Sequence, residues 1–251
     1  ILLIQSLDLT KESEDKILKK IENNGNTQYI GRWGGGYDFI IGFTVKDLFG
    51  LSDYVNFINS VFSNHKSKLT FLTMVKEFKD SFKNIFSESE QTNDFVSMSF
   101  VKEKLEIDSI DKKILQAFGK DCSVPSWGIA EKCKITEVAI RKRIKKLIDK
   151  KIILGFRTML NLTKLGYEPN FIFIKLNIKD KESEKSLVDF FKKNKNITYA
   201  TKLIGEQDYA ITVLSKSNME LNNFILNLRN KFKGMVVGVE NYPLFEMIYH
   251  T

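Results

Sequence analysis

Apolar and polar positions divide the chain into two stretches with one shared pattern and a third stretch with a different one. In the stretch nearer the C-terminus, Phe171, Phe173, Leu176 and Ile178 read as a strand, and Leu187, Phe190 and Phe191 mark one face of a helix starting near Lys181. Ile197 to Ile204 reads as a second strand. A turn at Gly205-Glu206-Gln207-Asp208 leads to a third, Tyr209 to Leu214. Met219, Leu221, Phe224, Ile225 and Leu228 then form a second helical stripe, and Met235 to Ile248 closes the unit as a strand. The first eighty or so residues follow the same order. A strand runs from Leu3 to Leu9, a helix to Asn24, strands lie around Ile30 and over Phe39 to Val45, a helix covers Leu51 to Phe62, and a strand covers Leu69 to Phe78.

The two stretches are an internal repeat. Lys11-Glu12-Ser13-Glu14 matches Lys181-Glu182-Ser183-Glu184 at an offset of 170, and the register persists through Asn24 and Asn194, Tyr29 and Tyr199, Gly35 and Gly205, and Asp38 and Asp208. The order βαββαβ is the ferredoxin-like arrangement, an antiparallel sheet with both helices on one face. The bare face of each sheet then needs a partner, so sheet-to-sheet pairing is expected, within the chain or between chains in a homo-oligomer.

Between the copies the period becomes helical. Ile107, Ile110, Ile114, Leu115 and Phe118 share a face, with Asp108 or Ser109 as cap and an end near Gly119. Pro125 stands where a second helix begins, Cys133-Lys134-Ile135 makes a tight turn, and Thr136 caps a third helix. Ile140, Ile144, Leu147 and Ile148 form that helix's inward stripe, which places Arg141, Lys142, Lys145 and Lys146 on the opposite arc and Arg143 at its edge. Three short helices with a tight turn suggest a helix-turn-helix that presents the third helix to a major groove.

Charge sharpens this picture. The formal net charge is +8, and seven of the eleven residues from Arg141 to Lys151 are basic, so the excess is concentrated on one helix. Two cysteines and two histidines supply neither a disulfide framework nor recognisable zinc-ligand spacing, and no metal or other cofactor is expected. Every apolar run is interrupted well before 18 residues, which excludes a membrane-spanning helix, and Ile1 to Leu9 lacks a basic leader and a cleavage site. A cytoplasmic protein is expected. No Ser/His/Asp constellation is visible and no catalytic residue is assigned.

From Ile107 onward the chain resembles the Lrp/AsnC family of transcription regulators. The resemblance lies in Ile107-Asp108-Ser109-Ile110-Asp111 with Ile114-Leu115, then Ile129-Ala130-Glu131, Ile135-Thr136, Arg143-Ile144-Lys145-Lys146-Leu147 and Ile152-Ile153-Leu154-Gly155-Phe156. It implies an α+β fold in which two ferredoxin-like domains flank a three-helix winged helix-turn-helix domain. The expected layout is a sensor-like domain at 1–83, a polar linker at 84–105, the DNA-binding domain at 106–160 and a second sensor domain at 168–251. The implied partner is double-stranded DNA. Arg141, Lys142, Arg143, Lys145 and Lys146 would lie against it, Thr136 would cap the reading helix, and Glu137 and Val138, with Arg141, would face base edges. The resemblance also implies an amino-acid-like effector. Gly205, Asp208 and Tyr209 in the second copy, with Gly35 and Asp38 in the first, are its candidate contacts, because glycine lets a backbone approach and aspartate accepts from an ammonium. A hairpin turn with a capping aspartate explains the same Gly-x-x-Asp pattern.

Cys122, Lys134 and Lys151 stand where the family usually has glycine, and Gly128 where it has glutamate. Those departures support a rival reading, a sensor that has lost DNA binding. A second rival is an enzyme resembling the sirohaem decarboxylases, with His65 or His250 in a tetrapyrrole pocket. With one helix-turn-helix beside two sensor units, either two chains dimerise or an upstream segment supplies a second DNA-binding domain, which the abrupt start at Ile1 favours.

Overall fold

The computed structural model describes residues 1–80, 82, 106–156, 160–177 and 180–250, so the expected linker at 84–105 and the end of the strand expected to reach Ile178 lie outside the described residues. The chain forms two compact units, one holding both copies of the repeat and the other the three-helix segment.

In the repeat unit the first copy supplies β1 (Leu2–Ser6), α1 (Lys11–Glu22), β2 (Thr27–Trp33), β3 (Phe39–Phe43), α2 (Leu48–Val61), β4 (Ser67–Phe71) and β5 (Thr73–Asp80). The second supplies β6 (Glu168–Leu176), α6 (Lys181–Lys193), β7 (Ile197–Ile204), β8 (Tyr209–Ser215), α7 (Asn218–Lys231) and β9 (Val236–His250). Both copies thus have the order βαββαβ. Expected boundaries shift by up to about three residues. The first strand ends at Ser6 rather than Leu9, and α2 starts at Leu48 rather than Leu51 because Asp47 caps it, its carboxylate accepting the Gly50 N–H at 2.9 Å. Leu48 and Phe49 are exposed in that first turn and so add nothing to the apolar period.

The last strand of the first copy departs furthest from expectation. It is not one strand from Leu69 to Phe78. It breaks at Leu72, so that β4 pairs antiparallel with β1 in its own copy while β5 pairs antiparallel with β7 in the other. β9 does the same in reverse, its first half on β6 and its second half on β2. The hydrogen-bonded order β4-β1-β3-β2-β9-β6-β8-β7-β5 therefore repeats the order of its first half in its second once repeat-related strands are equated, with β9 shared between the halves.

Alternation within the strands divides the apolar residues between three cores. Ile172, Ile174, Ile211 and Val213 face α6 and α7. Leu2, Ile4, Phe39 and Ile41 face α1 and α2. Residues from both copies, among them Leu3, Trp33, Ile40, Phe171, Phe173 and Tyr242, fill the space between the two sheets, with the Trp33 and Phe171 rings 5.4 Å apart. The expected sheet-to-sheet pairing is thus made inside one chain. Polar pairs repeat too: the Arg32 guanidinium meets the Glu14 carboxylate above the Phe39 ring, and Lys202 meets Glu184 above the Tyr209 ring.

The second unit contains α3 (Ser109–Lys120), α4 (Ser126–Cys133) and α5 (Glu137–Asp149) around Ile114, Ile129, Ala130, Ile140 and Leu147. Among the described residues no strand lies between α5 and β6, so the wing has no strand there. Ile148 corrects the expected inward stripe: it is 44% exposed, while Ile140 and Leu147 are buried and Ile144 packs partly against the core.

Candidate nucleic-acid interface

The third helix is built to start sharply. Thr136 takes extended backbone, and its hydroxyl accepts the Ala139 N–H at 3.3 Å, which satisfies one of the free donors of the first turn. Ahead of it, α4 ends at Lys134 in the left-handed region, with φ 56° and ψ 42°, a conformation that glycine adopts at least cost. That sharp reversal sets α5 against α4 and α3 through Ile140 and Leu147. Lys142, Lys145 and Lys146 are left exposed on the other side, away from the core.

The sequence-predicted contacts do not all share one environment. Val138 is 64% exposed in the first turn of α5. Arg141 has a 71% exposed side chain, yet its guanidinium is held from one edge: Nε and Nη2 donate to Glu137 Oε1 at 3.0 and 2.6 Å. Ser126, the first residue of α4, donates its hydroxyl to the same Glu137 oxygen at 2.6 Å and accepts from Arg141 Nε at 3.2 Å. These bonds, the Ser126 hydroxyl first and the Arg141 guanidinium next, hold the Glu137 carboxyl below the usual carboxylate range.

Arg143 takes another course. Its Nη1 donates to Asp108 at 2.6 Å and to Asp111 at 2.8 Å, and its side chain is 29% exposed. The two aspartates form the capping box of α3, so Arg143 ties α5 to the start of α3. Sequence reasoning missed Asp111 and Ser126 as parts of this surface, because their partners lie on other helices.

The Gly-x-x-Asp loops are also committed within the fold. Asp208 accepts the Leu176 N–H at 2.8 Å, and Asp38 accepts the Ser6 N–H at 2.8 Å, the same bond at repeat-related positions. Gly205, at φ 144°, lies against Leu72, where β4 passes into β5; an added Cβ would come within 2.7 Å of that side chain. Gly35, at φ 99°, lies against Tyr242 on β9 in the same way. Tyr209 is buried and donates to Glu184. An open cleft of about 490 Å³ beside α6, lined by Glu182, Lys185, Asp189, Phe190, Lys193 and Lys231 among others, contains none of these residues.

With this geometry in place, comparison with known proteins is specific. Residues 107–153 match the AsnC-type helix-turn-helix domain. The regulator FL11 of Pyrococcus furiosus, described as an HTH-type transcriptional regulator, is 33% identical over 136 residues, spanning 53% of this chain and 84% of the relative. The HTH-type transcriptional regulator LrpA of Pyrococcus horikoshii is 32% identical over 132 residues, spanning 51% of this chain and 90% of the relative. Among solved structures, an AsnC family transcriptional regulator from Agrobacterium tumefaciens aligns over 58% of this chain and 94% of its own, with TM-score 0.52 at 19% identity. AsnC from E. coli aligns over 59% of this chain and 97% of its own, with TM-score 0.51 at 22% identity, a likeness of fold. The three-helix unit, the βαββαβ unit that follows it and the relatives that span both agree: this chain belongs to the Lrp/AsnC family of transcription regulators.

Proposed function

We propose that this chain binds double-stranded DNA through α5 and regulates transcription in the cytoplasm, with Lys142, Lys145 and Lys146 against phosphates and Glu137, Val138 and Arg141 toward base edges. The observation that carries the reading is the division of α5 into a core face, Ile140 and Leu147, and an exposed cationic face on a helix whose start Thr136 fixes. Val138 offers methyl groups that suit the C5-methyl of thymine. Arg143 supports the surface from beneath through Asp108 and Asp111.

Binding isotherms over a range of salt concentrations test this. Affinity should fall steeply with salt, and Lys145→Ala should weaken all duplex sequences alike while reducing the slope by about one unit. A flat salt dependence for the wild-type chain would refute phosphate contact. The reading as a sensor without DNA binding predicts no duplex binding at any salt concentration, so the same titration decides between them.

The proposal includes modulation by an amino-acid-like effector at the Gly35 and Gly205 loops. Asp38 and Asp208 already accept backbone N–H groups there, so an ammonium would meet only the lone pairs that remain. A panel of free amino acids should contain at least one that shifts both the melting temperature and DNA affinity; a panel that moves neither excludes this part. His65 lies beside Asp8 at 3.5 Å, an ion-pair position that needs no tetrapyrrole, and the relatives are named as regulators.

A further inference from the structure

The contact between Glu137 and Arg141 joins residues one helical turn apart, an arrangement that by itself is worth little on an exposed helix. Here it has a second anchor. The Ser126 hydroxyl, from a different helix, fixes the Glu137 carboxylate and also accepts from Arg141 Nε, so two groups on two helices hold one guanidinium edge through three hydrogen bonds. That edge is Nε and Nη2. Among the described residues, neither Nη1 nor the second hydrogen of Nη2 has a hydrogen-bond partner. The end of the fork is therefore free, on a side chain that is mostly exposed beside the first turn of α5.

A guanidinium offers two parallel donors at that end, and guanine alone presents two acceptors, O6 and N7, at matching spacing in the major groove. A free arginine would lose much of its rotamer freedom on making that pair; one already held from behind loses less.

We propose that Ser126 and Glu137 are positioning residues that hold Arg141 in a guanine-reading geometry, so that each half-site carries one guanine whose recognition depends on the Glu137 carboxylate. This rests on the reading of α5 as the helix that enters the groove. Glu137 does not act mainly as a reader of its own base; it acts through the arginine.

The test uses the full chain and a randomised duplex pool. Wild-type protein should enrich a guanine at one fixed position per half-site, with binding to an adenine-substituted site weaker by about tenfold, within the range of a bidentate contact. Arg141→Lys, which keeps the charge and lacks the fork, should abolish the preference. Glu137→Gln removes the carboxylate charge at nearly constant shape. It should reduce the ratio of guanine-site to adenine-site affinity severalfold, and Ser126→Ala should do so to a lesser degree. A general loss of folding would lower the helical circular dichroism signal and the melting temperature as well, which separates it from a loss of positioning. Guanine preference that is unchanged or sharper in Glu137→Gln overturns the proposal, because Glu137 would then be a bystander or a competitor for Arg141. Salt-dependent binding without an enriched guanine also overturns it while leaving the DNA-binding function intact, and failure to bind any duplex overturns both.

Discussion

Lys134 and Lys151 are the two non-glycine residues with positive φ among the described residues, at 56° and 55°. A lysine there brings its Cβ close to backbone, a cost of roughly 1 kcal/mol that glycine avoids. Both positions end helices: the Lys134 N–H donates back to Glu131 O at the end of α4, and the Lys151 N–H donates to Ile148 O after α5. The turns therefore hold the left-handed geometry that glycine would adopt at less cost, and the three helices form with lysine in its place. Lys134→Gly and Lys151→Gly should each stabilise the three-helix unit by up to about 0.5 kcal/mol, the strain relieved being largely offset by the greater freedom of glycine in the unfolded chain. Urea midpoints of the two variants measure this, and a lower midpoint in either would show that no strain is stored at that position.

At the scale of elements, α5 shows what a sequence discloses and what it withholds. Its cap, its start and its basic arc are legible because Thr136, the apolar spacing and the run of lysines are local signals. The roles of Arg143 and Ile148 are not. At 100° per residue, Arg143 sits about 60° from Ile140 on one side and Ile148 about 80° on the other, so the arginine is the nearer to the core direction. Residue type alone points the opposite way. What settles the matter is a carboxylate pair on α3, 32 and 35 residues distant in sequence, which accepts the guanidinium and leaves the isoleucine in solvent. The hairpin loops teach the same lesson. Glycine and aspartate at fixed spacing fit a ligand contact and a turn equally well, and only the strand lying across Gly205, together with the bonded Leu176 N–H, reveals the structural duty those residues already perform.

Across the whole repeat unit, the offset of 170 carried the topology from sequence to structure, and repeat-related residues make repeat-related bonds, Asp38 to Ser6 as Asp208 to Leu176. The exchange of C-terminal strands left no such mark. The pattern from Leu69 to Phe78 is continuously strand-like, and which sheet each half joins depends on partners more than a hundred residues away. That exchange buries Lys79, whose Nζ donates to the Asn194 carbonyl at the end of α6 at 2.7 Å. Burial lowers its pKa from 10.5 to about 8. Below about pH 8 the amine is charged in both folded and unfolded chains, and the cost of burying the charge is borne in full. Between that pH and 10.5 the unfolded chain binds more protons than the folded one, so raising the pH favours the folded state, and above 10.5 the cost is gone. Lys79→Met removes the titration while keeping a long side chain, and groups common to both proteins cancel in the comparison. The wild-type denaturation midpoint should therefore rise relative to Lys79→Met as pH goes from 7 to about 10, with the change beginning near pH 8. A difference that stays level across that range would mean that the Lys79 ammonium remains charged in the folded chain, so that the join between β5 and β7 holds it without a desolvation cost.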